Sequence, residues 1–153
     1  MKNVLLLGAT GSIGKSVLSV ISQNKESLNL IGISFNKNVL RYQEILKKHS
    51  PDFVYIEDHD SFKSLCNKDK ERYLNGDEEL ERLINRDDID IIVCATSGFA
   101  GLKTAYIASK TGKKILLANK ESIVAGGDLI LSLAKENNTE IIPIDSEHNA
   151  IFQ

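Results

Sequence analysis

The sequence predicts an α/β fold, a doubly wound parallel sheet with helices on both faces. Two observations carry that prediction. Short apolar runs rich in Ile, Val and Leu recur along the chain, separated by stretches with helical spacing. Strands buried on both faces read as continuous apolar runs, and strands alternating with helices give right-handed βαβ crossovers. The second observation is the first junction, where an apolar run opens into a glycine-rich turn and then an amphipathic stripe.

In chain order, the strand candidates are Val4–Leu7, Leu30–Phe35, Phe53–Ile56, Ile89–Ala95, Lys114–Leu117 and Glu140–Ile144, each short enough for a parallel strand. Between the first two, Ile13, Val17, Leu18, Val20 and Ile21 form one apolar stripe; between the next two, Val39, Leu40, Ile45 and Leu46 form another. Glu79 to Leu83 reads as a short turn, Leu102 to Ala108 precedes the fifth strand and Leu129 to Ala134 the sixth. His59 to Asp77 is the most polar and least periodic part and reads as a surface excursion.

A chain of 153 residues that is 42% hydrophobic and 26% charged has enough apolar mass for one core. Its net charge of −2 and interleaved lysines and acids argue against nucleic-acid binding. No apolar run approaches the ~20 residues that span a bilayer, and Met1-Lys2-Asn3 leads straight into the first strand, so a cytoplasmic, membrane-free protein is expected. Cys66 and Cys94 have no metal-ligand spacing and read as structural.

The first strand runs into Gly8-Ala9-Thr10-Gly11-Ser12-Ile13-Gly14. After a strand and before a helix, this spacing suits dinucleotide binding. Gly8 permits the tight turn, Gly11 lets a diphosphate approach, Gly14 lets the helix pack on the strand, and the helix N-terminus offers free N–H groups. An acid at the end of the second strand would accept the ribose hydroxyls of NADH; Ser34-Phe35-Asn36-Lys37-Asn38 has none and supplies a cation and two amides. That favours NADPH, with Lys37 on the 2′-phosphate, although the same residues also read as a solvated turn before an Asn-capped helix.

Further polar residues follow the later strands: Thr96-Ser97-Gly98, then Asn119-Lys120-Glu121-Ser122, where a helix start favoured by the dipole is the other reading. After the sixth strand candidate comes Asp145-Ser146-Glu147-His148. In extended backbone, Asp145 and Glu147 share a face and offer Mg²⁺ or Mn²⁺ hard oxygen donors; on spacing alone, a cap for a helix beginning near Glu147 fits as well.

Three segments, Gly8-Ala-Thr-Gly-Ser-Ile-Gly14, Leu116-Leu-Ala-Asn-Lys-Glu-Ser122 and Pro143-Ile-Asp-Ser-Glu-His-Asn-Ala-Ile-Phe-Gln153, together resemble the 1-deoxy-D-xylulose 5-phosphate reductoisomerases, from end to end of the chain. The resemblance implies a Rossmann-like NADPH-binding domain over residues 1–144, and over 145–153 the truncated start of a catalytic domain. It implies an enzyme that uses NADPH and Mg²⁺ or Mn²⁺ to convert 1-deoxy-D-xylulose 5-phosphate to 2-C-methyl-D-erythritol 4-phosphate, a step of isoprenoid precursor synthesis, and that is a homodimer at full length. Carried over by position, it assigns Thr10, Gly11, Ser12 and Ile13 to the cofactor diphosphate. Asn36, Lys37 and Asn38 fall on the 2′-phosphate side, Asn36 standing where the family more usually has glycine. Asn119 and Glu121 also contact cofactor; Lys120, Ser146 and Glu147 contact substrate; Asp145 and Glu147 hold the metal. Lys120 and Glu147 are then the catalytic candidates, and His148 either orients the site or is structural. Without the family's further acidic ligand and mobile loop, the 153-residue chain is expected to bind NADPH with little or no turnover. Two other readings are a non-catalytic NADPH-binding module and a semialdehyde dehydrogenase, which would need a nucleophilic cysteine.

Overall fold

The computed structural model describes residues 1–67 and 69–144. Within them lies one parallel sheet of seven strands, β1 (Lys2–Leu7), β2 (Leu28–Phe35), β3 (Phe53–Ile56), β4 (Tyr73–Leu74), β5 (Ile91–Cys94), β6 (Lys114–Leu117) and β7 (Glu140–Pro143). Their order across the sheet is β4-β3-β2-β1-β5-β6-β7. The chain builds outward from β1 to one edge, returns to β1's other side at β5, and builds to the opposite edge. This is the predicted doubly wound architecture.

Alternation along the strands distributes the core. In β1, Val4 and Leu6 face one layer and Leu5 and Leu7 the other, and all four are buried. The Val4–Leu6 side packs on α1 (Ser12–Gln23), α2 (Val39–Leu46) and α3 (His59–Leu65), through Leu18, Ile21, Tyr42, Ile45 and Phe62. The Leu5–Leu7 side packs on α4 (Asp77–Ile84), α5 (Gly98–Ala108) and α6 (Lys120–Glu136), through Leu83, Ile84, Ala105, Ala108 and Ile130.

The structure corrects four expectations. His59 to Asp77 is no excursion: it holds α3 and the edge strand β4, whose Tyr73 pairs with Val54 in parallel. A two-residue strand is too short to show a period, and α3 has no buried residue, so neither left an apolar pattern. Glu79 to Leu83 belongs to a full helix, α4, whose acidic first turn Asp77-Glu78-Glu79 suits the dipole. Leu129 to Ala134 is only the last part of the 17-residue α6, which begins at Lys120 and carries the glycine pair Gly126-Gly127 in its middle. The fourth predicted strand shortens to Ile91–Cys94, with Ile89 in the preceding turn. No helix of the described residues is long and apolar enough to cross a membrane.

Candidate functional site

Because the chain leaves β1 and β5 toward opposite edges, the segments after these neighbouring strands part and leave a crevice outside their carboxyl ends. Its volume is ≈ 690 Å³. Gly8, Thr10 and Gly11 line one wall and Ala95, Thr96 and Ser97 the other; beyond them it runs past Asn36, Tyr55, Glu57 and Asn75 at the ends of β2, β3 and β4.

Backbone packing shapes the glycine turn. Gly8 has φ +90°, and a Cβ there would lie 2.6 Å from the Ala95 carbonyl oxygen; at Gly14 it would lie 2.5 Å from the Gly8 carbonyl oxygen. A Cβ on Gly11 would meet nothing nearer than the Gly8 oxygen at 3.5 Å, so its open side belongs to the crevice. Ser34, at the end of β2, braces the turn: its Oγ accepts from Gly8 N at 2.9 Å and its carbonyl from Ala9 N at 2.8 Å. Gly11 is the N-cap of α1 and brings no side-chain cap. The N–H groups of the first turn of α1 are thus left without a cap at the crevice wall, the arrangement that receives a diphosphate. Opposite, among the described residues, the buried Thr96 hydroxyl has no hydrogen-bond partner. An uncapped helix start, an open Gly11 and an unsatisfied hydroxyl are features that a dinucleotide fits.

At the end of β2 the structure places Asn36 on the crevice, while Lys37 and Asn38 lie beside it and exposed. Asn38 is the N-cap of α2, its Oδ1 accepting from Arg41 N at 3.0 Å. Lys37 Nζ stands 3.9 Å from Asp58 Oδ1, a neighbour that sequence spacing did not disclose.

The later strand ends serve chiefly to hold the opposite wall. Asn119 is buried and caps α6: its Oδ1 accepts from Ser122 N at 3.1 Å, and its Nδ2 donates to the Thr96 carbonyl at 2.7 Å. Gly101, in α5, makes room for this bond, since a Cβ there would collide with the Asn119 amide and the Thr96 oxygen. Glu121 Oε2 accepts from Gly98 N at 3.0 Å, at the start of α5. Two side chains of one helix start therefore grip the Thr96–Gly98 loop. Lys120 is the exposed first residue of α6, so of the two readings of this segment the helix start holds. Ser12 is exposed and Ile13 half-buried in the first turn of α1.

Sequence reasoning missed Ser34, Glu57 and Asp58, and also Lys103, whose ammonium pairs with Asp77 across the crevice rim. The terminal set Asp145, Ser146, Glu147 and His148 lies outside the described residues. Among those described, no group of three or more His, Cys, Asp or Glu side chains is arranged to hold a metal ion. Cys94 is fully buried and burial pushes its thiol up to about 12, while Cys66 ends α3 away from the crevice lining. Cys94 thus lacks the thiolate character, and Cys66 the placement, that a nucleophile of the crevice needs.

Residues 4–127 match the family model for 1-deoxy-D-xylulose 5-phosphate reductoisomerase. The reductoisomerase of Ruthia magnifica is 41% identical over all of this chain and 40% of its own length, and that of Clostridium perfringens 42% identical over all of the chain and 41% of its own. Among solved structures, a DOX-P reductoisomerase in complex with NADPH, fosmidomycin and magnesium superposes with a TM-score of 0.92 at 36% identity, over all of this chain and 38% of that one. The Zymomonas mobilis enzyme in complex with NADPH gives 0.89 at 35% identity, over 99% of this chain and 41% of that one. A putative homoserine dehydrogenase of Archaeoglobus fulgidus, at 20% identity and 0.60 over 94% of this chain and 42% of that one, shares the fold alone. The chain thus spans about two fifths of the length of the relatives it matches. With a family model covering most of its residues, the crevice and its glycine turn belong to a chain of the 1-deoxy-D-xylulose 5-phosphate reductoisomerase family.

Proposed function

We propose that residues 1–144 form the NADPH-binding domain of a cytoplasmic reductoisomerase, and that 145–153 begin its catalytic domain. The whole enzyme, a homodimer, would convert 1-deoxy-D-xylulose 5-phosphate to 2-C-methyl-D-erythritol 4-phosphate. The observation that carries the reading is the uncapped start of α1 at the crevice wall, with Gly11 leaving room for a diphosphate. Thr10, Gly11, Ser12 and Ile13 would hold that diphosphate; Asn36, Lys37 and Asn38 would take the 2′-phosphate. The relatives' complexes with NADPH and with magnesium support this choice of ligands.

When bound, NADPH supplies hydride and a divalent ion supplies Lewis acidity toward paired substrate oxygens. The chain's own residues bind and orient. Asn119 and Glu121 keep the Thr96–Gly98 wall in place, which is how both would serve the cofactor. Lys120, exposed beside them, would bring a cation to a substrate oxygen. Asp145 and Glu147 would offer hard oxygen donors to Mg²⁺ or Mn²⁺, and Ser146 and Glu147 would contact substrate.

Titration of the 153-residue chain with NADPH and NADH tests the reading. Wild type is expected to prefer NADPH, and Lys37→Glu to weaken NADPH at least ~10-fold more than NADH, because it turns an attraction to the 2′-phosphate into a repulsion. Equal losses for both nucleotides would refute the assignment. With substrate, Mg²⁺ and NADPH, the same chain should oxidise little or no NADPH.

A further inference from the structure

The charge next to Lys37 bears on how tightly a phosphorylated ribose is held. β2 and β3 are parallel neighbours with Phe35 opposite Ile56, and Glu57 N donates to the Phe35 carbonyl at 3.0 Å. The segments that follow, Asn36–Asn38 and Glu57–His59, therefore leave the sheet side by side. Asp58 is the fixed member of the pair with Lys37. It caps α3, accepting from Ser61 N at 2.9 Å and from Ser61 Oγ at 2.7 Å, and its side chain is 22% exposed. Lys37, 75% exposed on a four-carbon stem, is the mobile member. The two Ser61 bonds, and then Lys37, hold the Asp58 carboxyl below the usual carboxylate range, so it is charged at neutral pH. A phosphate that meets the Lys37 ammonium therefore either comes close to a carboxylate that cannot swing away or draws Lys37 out of its pair with it. Glu57, on the crevice, adds a second negative charge nearby.

We propose that Asp58 is a specificity-determining counter-charge: it competes with a ribose 2′-phosphate for Lys37 and holds the preference for phosphorylated dinucleotides below what Lys37 alone would give. The inference rests on the NADPH reading and adds to it a residue that opposes binding. The reduced and oxidised cofactors carry the same 2′-phosphate, so Asp58 weakens both alike. It loosens the hold on the cofactor without favouring either redox form.

The test compares adenosine 2′,5′-bisphosphate with adenosine 5′-monophosphate by calorimetric titration of the 153-residue chain. Asp58→Asn keeps the helix cap, because an amide oxygen also accepts from Ser61 N, and removes the charge. It should tighten the bisphosphate about fivefold and leave the monophosphate unchanged, and the gain should shrink as salt rises. Asp58→Ser, another good cap, should behave the same way. A bisphosphate affinity that is unchanged or weaker in both variants would overturn the proposal, a weaker one showing that Asp58 prepositions Lys37. Equal shifts for the two ligands would also overturn it, as the mark of a merely structural role. If wild type binds neither nucleotide, the NADPH reading falls with it; if wild type prefers the bisphosphate and the variants show no gain, this proposal falls alone.

Discussion

Two strand-to-helix turns, one lining the crevice and one behind its opposite wall, are built in opposite ways. After β1, the chain turns through glycines, and α1 begins on Gly11 with no side-chain cap. After β6, the chain turns through Ala118 and Asn119, and α6 begins on an Asn119 whose oxygen is spent on Ser122 N and whose nitrogen is spent on the Thr96 carbonyl. The first helix start keeps its donors for something outside the chain; the second satisfies itself and its neighbour. The difference teaches that polar residues at strand ends have two uses, and that hydrogen-bond partners tell them apart where spacing does not. The glycine turn receives, and the asparagine turn braces.

The sharpest break in this comparison comes from adding one methyl group at different points of the glycine turn. Gly14→Ala would set a Cβ 2.5 Å from the Gly8 carbonyl oxygen and 2.6 Å from that of Ala9, backbone atoms that cannot step aside. A loss of about 2–3 kcal/mol in urea unfolding is expected. Gly11→Ala has only the ordinary 3.5 Å contact to absorb and loses only glycine's advantage as N-cap, so stability should fall by about 0.5–1 kcal/mol, well short of Gly14→Ala. Its methyl would occupy the side that faces the crevice, and NADPH affinity should fall at least ~10-fold, by titration. If the two variants damaged stability and binding in the same proportion, the receiving role of this turn would be refuted.

On the bracing side, Asn119→Ala removes a buried cap and the donor to the Thr96 carbonyl together. The expected loss is about 1–3 kcal/mol of stability, with NADPH bound only several-fold more weakly because the Thr96–Gly98 wall loosens. That pattern is the reverse of Gly11→Ala. A large loss of binding at unchanged stability would instead show that the Asn119 amide touches the cofactor directly.

Much of this was legible in residues 1–56. Val4–Leu7 and Phe53–Ile56 announce themselves because strands covered on both faces demand continuous apolar runs, and the stripe from Ile13 to Ile21 because its core face carries Leu18 and Ile21, although Val20 within it is exposed. β4 did not, since Tyr73 and Leu74 are too few to show a period and take their strand character from pairing with β3. The start of α6 was legible at Lys120-Glu121 only as one of two readings, and its first half was hidden because Gly126-Gly127 interrupt the stripe that would have extended the pattern back from Leu129. In the site, glycine spacing was readable because it is local. The partners Ser34, Thr96 and Asp58 were not, because each meets its turn through sheet order, from 21 to 26 residues away in sequence.

The smallest expected effect separates charge from geometry within the brace. Glu121 accepts from Gly98 N at 3.0 Å at the beginning of α5, where a carboxylate gains from both the N–H and the helix dipole. Glu121→Gln keeps an oxygen that can accept the same bond and removes only the charge. Since Glu121 is exposed, water and salt screen that charge, and the loss should be about 0.3 kcal/mol at low ionic strength. It should vanish near ~1 M salt, where the Debye length is shorter than the reach of the interaction. Glu121→Ala removes the acceptor as well, so its cost should persist in salt, and unfolding series at low and high salt distinguish the two. A Glu121→Gln deficit that survives high salt would mean that the carboxylate holds Gly98 by geometry an amide cannot reproduce. The Thr96–Gly98 wall would then be held as rigidly through Glu121 as through Asn119.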